Sequence, residues 1–401
     1  MDQPPAAPLY PLYQRTFTLY RVSPLHTGDT SLLDEPTLKT HARRLREQLK
    51  GDNVRGVEVD FAGAEDALPR IGPLQECSWA MLPDEDTWID QNLHFLHSEI
   101  SQVPSEAGIE QMRGVFVSLE YEKATYHALL LRDPTTTTSP EAFTSLPLLL
   151  VRMPLPVREI FLNYLRTSFD AHVAPLRLSS NFITSSIETY FRHFSAGNSP
   201  LSIVDAVKQV QIQLSFPTVT TLLRHLDITI QSAYVPGFVS RGRLLKGGDE
   251  KPFTAALSSY MSKHLALDMA NPKVQVSRVS CGSFTLATDR IKISLQNDLA
   301  DTSTLDGSSI SDVGPGQLVV KDLYSALVRE ATPIGKFLID DAALSGRSST
   351  PSSIASARVG RRKRAVSSTA ANTRNTKRSK VRGEDTGRED EYDDDIDEIQ
   401  S

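Results

Sequence analysis

The chain has 401 residues with a formal net charge of −6, 39% hydrophobic residues and only two cysteines, Cys77 and Cys281. Two cysteines this far apart exclude a disulfide-stabilised scaffold and are typical of a reducing compartment. The first residues carry neither a basic segment nor an apolar stretch, and no apolar run approaches the length of a membrane span. We therefore expect a soluble protein with no secretion signal and no membrane partner.

The first half of the sequence predicts short strands around one basic helix. Residues 1–14 are rich in proline and are expected to be loose, and residues 83–113 are expected to form a peripheral insertion with one helix near Trp88–Ile100. Leucine and alanine at helical spacing predict a helix over Leu38–Lys50. Alternating patterns rich in strand-forming residues predict strands at Thr16–Val22, Val54–Phe61, Gln75–Leu82, Val115–Tyr121 and Thr125–Leu131.

The second half repeats this combination of strands and amphipathic helices. Pro154 and Pro156 open a helix that continues to Phe169, and further helices are predicted over Ser180–Phe194 and Leu318–Thr332. A fourth helix, Phe253–Leu267, is predicted to bury one stripe formed by Phe253, Leu257, Tyr260, Met261 and Leu265. Strands are predicted at Leu146–Met153, Ala171–Leu178, Val207–Phe216, His225–Ile230, Val274–Ser280, Ser283–Thr288 and Ile291–Leu295.

These strands occur in adjacent pairs, which favours mostly antiparallel sheets flanked by helices over a regular βαβ fold. The predicted fold class is therefore an α/β fold of the α+β type. We expect a body over residues 15–343, divided into halves 15–145 and 146–343, and a disordered tail over residues 344–401.

The tail separates its charges into two blocks. Residues 345–383 contain eleven Lys or Arg and no acidic residue, whereas residues 384–398 contain ten acidic residues and only one basic residue. Two basic clusters with a twelve-residue spacer match a bipartite nuclear import signal, which an acidic import receptor would bind. The alternative is a solvating tail whose cations cluster by chance. The residues of the import signal are Arg361, Arg362, Lys363, Arg364, Lys377, Arg378 and Lys380.

No constellation of residues predicts catalysis or a cofactor. The sequence contains no Gly-x-Ser-x-Gly nucleophile motif and no phosphate-binding loop. His94 and His97, with Cys77 upstream, lack the further ligands of a zinc site. Cys281 falls in an apolar strand turn, where a buried thiol is expected. We expect no enzyme activity, no metal and no cofactor.

Two basic clusters in the body are candidate contacts for phosphate or for an acidic partner. The alternative for each is an ordinary solvated helix face. Residues 1–344 contain 31 basic and 39 acidic residues, a net charge of −8 that makes the body a poor general binder of DNA. A nuclear nucleic-acid-binding protein that uses these clusters and the tail remains the alternative function. The clusters are Arg43, Arg44, Arg46 and Lys50, and Arg241, Arg243 and Lys246.

Three groups of segments carry a family resemblance. They are Thr16–Leu25 with Gly51–Val57, Ser145–Pro156 with Phe169–Leu178, and Pro252–Leu257 with Lys263–Asp268 and Val279–Phe284. In this order they resemble the CENP-L family of inner-kinetochore subunits in its filamentous-fungal form, over roughly residues 10–300.

The resemblance implies a non-enzymatic scaffold of the constitutive centromere-associated network that supports chromosome segregation. Its implied fold is saddle-like with curved antiparallel sheets, similar to a bacterial recombination-associated DNA-binding protein. The implied partners are a CENP-N-type subunit and other inner-kinetochore proteins, with centromeric nucleosome or DNA contact through the complex. We expect a partner strand to extend an exposed sheet edge among Val274–Ser280, Ser283–Thr288 and Ile291–Leu295.

Overall fold

The computed structural model describes only part of the chain, and every residue that it describes lies in one compact unit, Met1–Ala343. The described residues are 9–50, 71–89, 91, 111–195, 203–207, 209–217, 223–245, 250–294 and 315–332. The predicted strand Val54–Phe61, most of the predicted helix Trp88–Ile100 and the tail over residues 344–401 lie outside these ranges.

The described strands form one eleven-stranded antiparallel sheet and a small two-stranded sheet. In the large sheet the order is β10-β9-β11-β12-β13-β1-β7-β5-β4-β3, with β8 paired to β1, and β2 pairs with β6 in the small sheet. The strands are β1 Thr16–Val22, β2 Leu25–His26, β3 Leu74–Leu82, β4 Gly114–Tyr121, β5 Thr125–Leu131, β6 Phe143–Thr144, β7 Leu148–Arg152, β8 Val173–Pro175, β9 Gln209–Ser215, β10 His225–Gln231, β11 Gln275–Cys281, β12 Phe284–Ala287 and β13 Arg290–Ile293.

Helices cover opposite faces of the two ends of this sheet. The helices α1 and α2 pack on the face that carries Trp79, Val117 and Val151, at the end of the sheet formed by β1, β3, β4, β5 and β7. The helices α3, α5 and α6 pack on the other face around β9 to β13, which carries Ile212 and Leu286, and α7 packs on that same face at β1 and β7. The helices are α1 Glu35–Leu49, α2 Leu155–Phe169, α3 Ser180–Ser195, α4 Ile203–Ala206, α5 Val235–Arg243, α6 Pro252–Leu265 and α7 Pro315–Ala331.

Strand β1 connects the two ends because its alternating side chains contribute to both cores. Phe17 and Leu19 belong to the core under α3 and α7, whereas Tyr20 and Val22 belong to the core under α1 and α2. This division follows from the period of two along a strand. Because α2 packs with the earlier strands, the two cores do not separate at the predicted boundary between residues 145 and 146.

Helix starts follow the local sequence. The Asp34 side chain accepts a hydrogen bond from Thr37 N at 3.4 Å and caps α1, which therefore begins three residues before the predicted start. Pro154 occupies the N-cap of α2, and Pro156 follows in its first turn, where a missing N–H costs nothing. No described helix is long and apolar enough to cross a membrane.

The described parts of the two segments that were predicted to be peripheral, residues 1–14 and 83–113, pack against the core. Tyr10, Leu12 and Tyr13 are buried, so the packed body begins within the segment that was predicted to be loose. The Tyr10 hydroxyl donates to Pro83 O at 2.9 Å, and Trp88 packs on the same tyrosine ring. The beginning of the predicted insertion is therefore held to the N-terminal segment by contacts between residues more than 70 positions apart, which local patterns do not reveal. The predicted fold class, an antiparallel α/β fold flanked by helices, is confirmed.

Candidate protein-interaction edge

The strands that were expected to form an exposed edge lie inside the sheet. β11 pairs with β9 and β12, β12 pairs with β11 and β13, and β13 pairs with β12 and β1. The prediction of an edge among them is wrong because β9, from a distant part of the chain, adds beyond β11. A local sequence pattern identifies strands but carries no information about such long-range pairing.

The terminal strands of the described sheet are β3 and β10. At β3, the Arg46 guanidinium donates from Nη2 to the Gln75 carbonyl at 2.7 Å, so α1 already binds a backbone group of this strand. At β10, the described residues supply a pairing strand on one side alone, which is β9. β10 is therefore the candidate edge for a partner.

The backbone geometry of β10 shows which of its groups point outward. Phe216 N donates to Arg224 O at 3.1 Å, so the residue before the strand turns its backbone groups toward β9. Backbone direction alternates along an antiparallel strand. The register with β9 is continuous from His225 to Gln231, so the backbone N–H and C=O groups of the even-numbered residues point toward β9. The backbone groups that point outward belong to His225, Asp227, Thr229 and Gln231.

The side chains of β10 separate into an apolar and a polar face. Leu226, Ile228 and Ile230 face the core under the helices, and only Ile230 is fully buried. On the polar face, Gln213 Nε2 donates to the Asp227 carboxylate at 2.9 Å. A carboxylate on an edge strand discourages indiscriminate strand pairing. With respect to the described residues, the outer side of β10 is thus open for pairing, and Asp227 disfavours unselective association.

The structure places the first basic cluster on α1, where only part of it remains available. Arg43 and Arg44 are exposed, and no ion pair to either occurs among the described residues. The Arg46 side chain binds Gln75 O, whereas Lys50 caps α1 through its backbone N–H and keeps its side chain exposed. Of the four side chains in this cluster, Arg46 therefore has a structural role.

The second basic cluster lies at the end of α5. The Arg241 guanidinium carbon lies 4.9 Å from the centre of the Phe238 ring, and its Nε donates to Gly237 O at 3.0 Å. Arg243 is exposed, and Lys246 lies outside the described residues. The two basic clusters are not brought together, because α1 packs on β3 and α5 follows β10 at the other end of the sheet.

The candidate metal-binding and nucleophilic groups do not assemble into a described site. No group of three or more His, Cys, Asp or Glu side chains that could hold a metal ion occurs within the described ranges, and His94 and His97 lie outside them. Burial raises the pKa of the Cys281 thiol to about 12, so this thiol is protonated and unreactive at neutral pH. The residues of the import signal, Arg361 to Lys380, also lie outside the described part of the chain.

Sequence reasoning missed an exposed aromatic surface beside β10. Tyr260 and Leu265 were predicted within the buried stripe of α6, yet they are 45% and 55% exposed. That prediction is wrong because α6 buries a narrower stripe, formed by Phe253, Ala256, Leu257 and Met261. The absence of acidic residues from α5 and α6 was the available signal that this surface is unusual.

An antiparallel sheet with helices on opposite faces, whose terminal strand pairs on one side alone among the described residues, defines an α/β protein with a candidate edge for strand addition. The family model for Centromere protein L matches residues 11–332, and the chain therefore belongs to the CENP-L family. It is a centromere protein of the kinetochore, a nuclear structure, and its family supplies structural subunits with inner-kinetochore partners. A comparison with curated proteins finds no match.

Proposed function

We propose that this chain is a non-enzymatic scaffold of the inner kinetochore, which supports chromosome segregation by holding a CENP-N-type subunit at centromeric chromatin. The observation that carries the proposal is the outward edge of β10, at the end of an eleven-stranded sheet. An added strand would extend this sheet by main-chain hydrogen bonds. The family membership supports an assembly role of this kind.

The length and register of β10 suit such an addition. The strand has seven residues, all paired with β9 in continuous register without a bulge. A straight, regular strand presents its outward groups at an even spacing that a second strand can match. The partly exposed Leu226 and Ile228 would lose further surface to a partner's apolar side chains, which would stabilise the added strand.

Replacement of Thr229 by proline tests the proposal. Thr229→Pro removes an outward N–H and no hydrogen bond to β9, so the fold should tolerate it as edge strands do. The added strand would lose this hydrogen bond and clash with the proline ring, so we expect the dissociation constant for the purified CENP-N-type subunit to rise about tenfold or more.

Thr229→Val is the matched control, because it changes the same side chain and retains the N–H. It should bind the partner within about twofold of the wild type, measured by isothermal titration calorimetry. Circular dichroism of both variants establishes that the sheet is intact. Equal partner affinity for the proline and valine variants would rule out strand addition at β10.

A further inference from the structure

An aromatic and basic surface begins where the candidate edge strand ends. Gln231 is the last residue of β10, and the turn Ser232–Tyr234 leads directly into α5. Tyr234, Phe238 and Arg241 follow one another at helical spacing, and Tyr260, Lys263 and His264 share one side of α6. These six residues are called the α5–α6 patch below.

Direct contacts join the two helices of the patch. The Phe238 and Tyr260 rings meet edge to face at 5.9 Å, and the Tyr260 and His264 rings lie 4.3 Å apart. The Arg241 guanidinium carbon lies over the Phe238 ring, 4.9 Å from its centre. The result is a continuous row of side chains, Arg241–Phe238–Tyr260–His264, that crosses from one helix to the other.

The helices are held in this arrangement by backbone contact. A Cβ atom added at Gly242 would lie 1.7 Å from Pro252 O, so α5 and the start of α6 approach too closely for any side chain at that position. The patch is therefore part of a rigid helix pair, so its side chains are preorganised for a partner before binding.

The patch combines exposed apolar surface with positive charge. Tyr234 is 62% exposed and Tyr260 is 45% exposed, although aromatic side chains of this size normally bury most of their surface. The helices Val235–Arg243 and Pro252–Leu265 contain no acidic residue, while residues 1–344 carry a net charge of −8. A cationic aromatic surface on an otherwise acidic body is complementary to an acidic segment with apolar side chains.

We propose that the α5–α6 patch binds an acidic segment of the partner whose strand pairs with β10. The inference rests on the proposed function, because continuity between the edge and the patch identifies the occupant. A strand added to β10 would have one end beside Gln231, three residues before Tyr234, so the partner chain could continue from there onto Tyr234. Apolar side chains of that segment would pack on Tyr234 and Tyr260, and its carboxylates would meet Arg241 and Lys263.

Photo-crosslinking in the complex of the full chain with the CENP-N-type subunit tests this. Benzoyl-phenylalanine is placed at position 260 in one sample and at position 229 in another, and crosslinked peptides are sequenced. We expect position 260 to capture a partner segment rich in Asp and Glu that also contains aliphatic or aromatic residues. This segment should lie next to the segment captured at position 229.

The two proposals fail separately in this experiment. Capture at position 229 with none at position 260 overturns the patch and leaves the β10 edge standing. Capture of an acidic segment at position 260 with none at position 229 supports the patch and overturns strand addition. Capture at position 260 of a basic or neutral segment, or of a segment of this chain, overturns the patch.

Charge reversal supplies a second readout. Arg241→Glu/Lys263→Glu should weaken partner binding about tenfold at low salt, with a smaller difference at high salt. Arg43→Glu/Arg44→Glu on α1 makes the same change in net charge at the other end of the sheet and is the control. It should stay within about twofold of the wild type. Equal losses for the two double variants would show a general charge effect and refute the assignment.

Discussion

His127 lies in a row of polar side chains that crosses neighbouring strands, with Ser118 opposite it on β4 and Arg152 opposite it on β7. Its ring stacks on Phe116 at 5.3 Å, and its Nδ1 is buried without a hydrogen-bond partner among the described residues. Burial, together with the positive charges of the Arg15 and Arg152 guanidinium groups, lowers the pKa of His127 to about 4. This histidine is therefore neutral at physiological pH.

This lowered pKa predicts a loss of stability in mild acid. The unfolded histidine titrates near 6.5, so between pH 6.5 and 4 the unfolded chain binds a proton that the folded chain does not. The free energy of unfolding should therefore fall with decreasing pH, by about 1 kcal/mol between pH 7 and 5 after allowance for solvent screening. His127→Phe keeps an aromatic ring against Phe116 but cannot bind a proton. Its free energy of unfolding, measured by urea denaturation, should therefore lack this part of the fall between pH 7 and 5.

Nuclear magnetic resonance gives the direct check on the same residue. The His127 ring protons should titrate with a midpoint near 4 in the wild type. Arg152→Gln removes one of the neighbouring positive charges and should raise that midpoint. A wild-type midpoint near 6.5 would contradict the environment described for this side chain.

Glu188 links α3 to α6 from within the core. It is only 4% exposed, and its carboxylate accepts hydrogen bonds from Thr254 N at 2.6 Å and Phe253 N at 3.4 Å in the first turn of α6. A negative side chain is favourable at this position because unpaired N–H groups and the positive end of the helix dipole meet there. A buried acid thus serves as a helix cap supplied by another helix.

Removing this cap should destabilise the fold. Glu188→Ala leaves the buried Phe253 N–H and the partly buried Thr254 N–H without their acceptor, and we expect the free energy of unfolding to fall by about 1–3 kcal/mol. Glu188→Gln keeps an acceptor and loses only the charge, so it should cost less than about 1 kcal/mol. Urea denaturation of both variants measures the difference, and equal costs would show that the hydrogen bonds to α6 contribute nothing.

At the scale of elements, the contact between α5 and α6 depends on one glycine. Gly242→Ala would place a methyl group 1.7 Å from Pro252 O, so the helices must separate. We expect a loss of at least about 1–3 kcal/mol in the free energy of unfolding, because the contact is between rigid backbone atoms. Weaker partner binding should accompany it, since Phe238 and Tyr260 would no longer meet.

Gly237 supplies the matched control on the same helix. An added Cβ there has only the flexible Arg241 side chain within 4 Å, at 3.9 Å. Gly237→Ala should therefore be neutral or stabilise the protein by up to about 1 kcal/mol, because alanine favours the helix. Thermal denaturation compares the two variants, and a similar loss of stability for both would show that the loss at Gly242 does not come from the close contact between α5 and α6.

The elements that the sequence predicted best are those with strictly local signals. β1 and β5 have the predicted bounds: β1 is rich in strand-forming residues and ends before Pro24, and β5 is a short apolar run that ends before Arg132 and Asp133. β8 is shorter than predicted because β8 and β13 pair with the same side of β1. Leu19 N donates to Asp289 O at the end of the β13 pairing, so only Tyr20 to Val22 remain to pair with β8. The β10 edge and the α5–α6 patch depend on contacts distant in sequence, so no local pattern could identify them.

At the scale of the whole molecule, every residue of the two described cores lies between Tyr10 and Ala331. A chain that ends at residue 344 loses none of these core side chains. The tail sequence also contains few large apolar residues, so its removal should change the melting temperature by less than about 2 °C. Differential scanning calorimetry checks this, and a larger fall would show that the tail contributes to folding of the body.

The tail should nevertheless determine entry into the nucleus. We expect residues 345–401 to carry a neutral reporter into nuclei through an import receptor that binds the two basic clusters. Arg362→Ala, Lys363→Ala, Lys377→Ala and Arg378→Ala together should shift the fusion toward the cytoplasm, as measured by fluorescence microscopy. A reporter fusion is needed because a bound kinetochore partner could carry the whole chain with it.

A second set of four substitutions separates the import signal from simple positive charge. Arg347, Arg358, Arg374 and Arg382 lie outside the two clusters within the same basic block. Replacing these four by alanine removes as much charge while leaving both clusters and the twelve-residue length of the spacer between them unchanged, although Arg374 lies within that spacer. This control should remain nuclear, because a receptor groove reads the clusters at their spacing and not the total charge. An equal loss of nuclear entry from both sets of substitutions would show that the tail acts only through its total positive charge. Full nuclear entry of the first variant would refute the import signal.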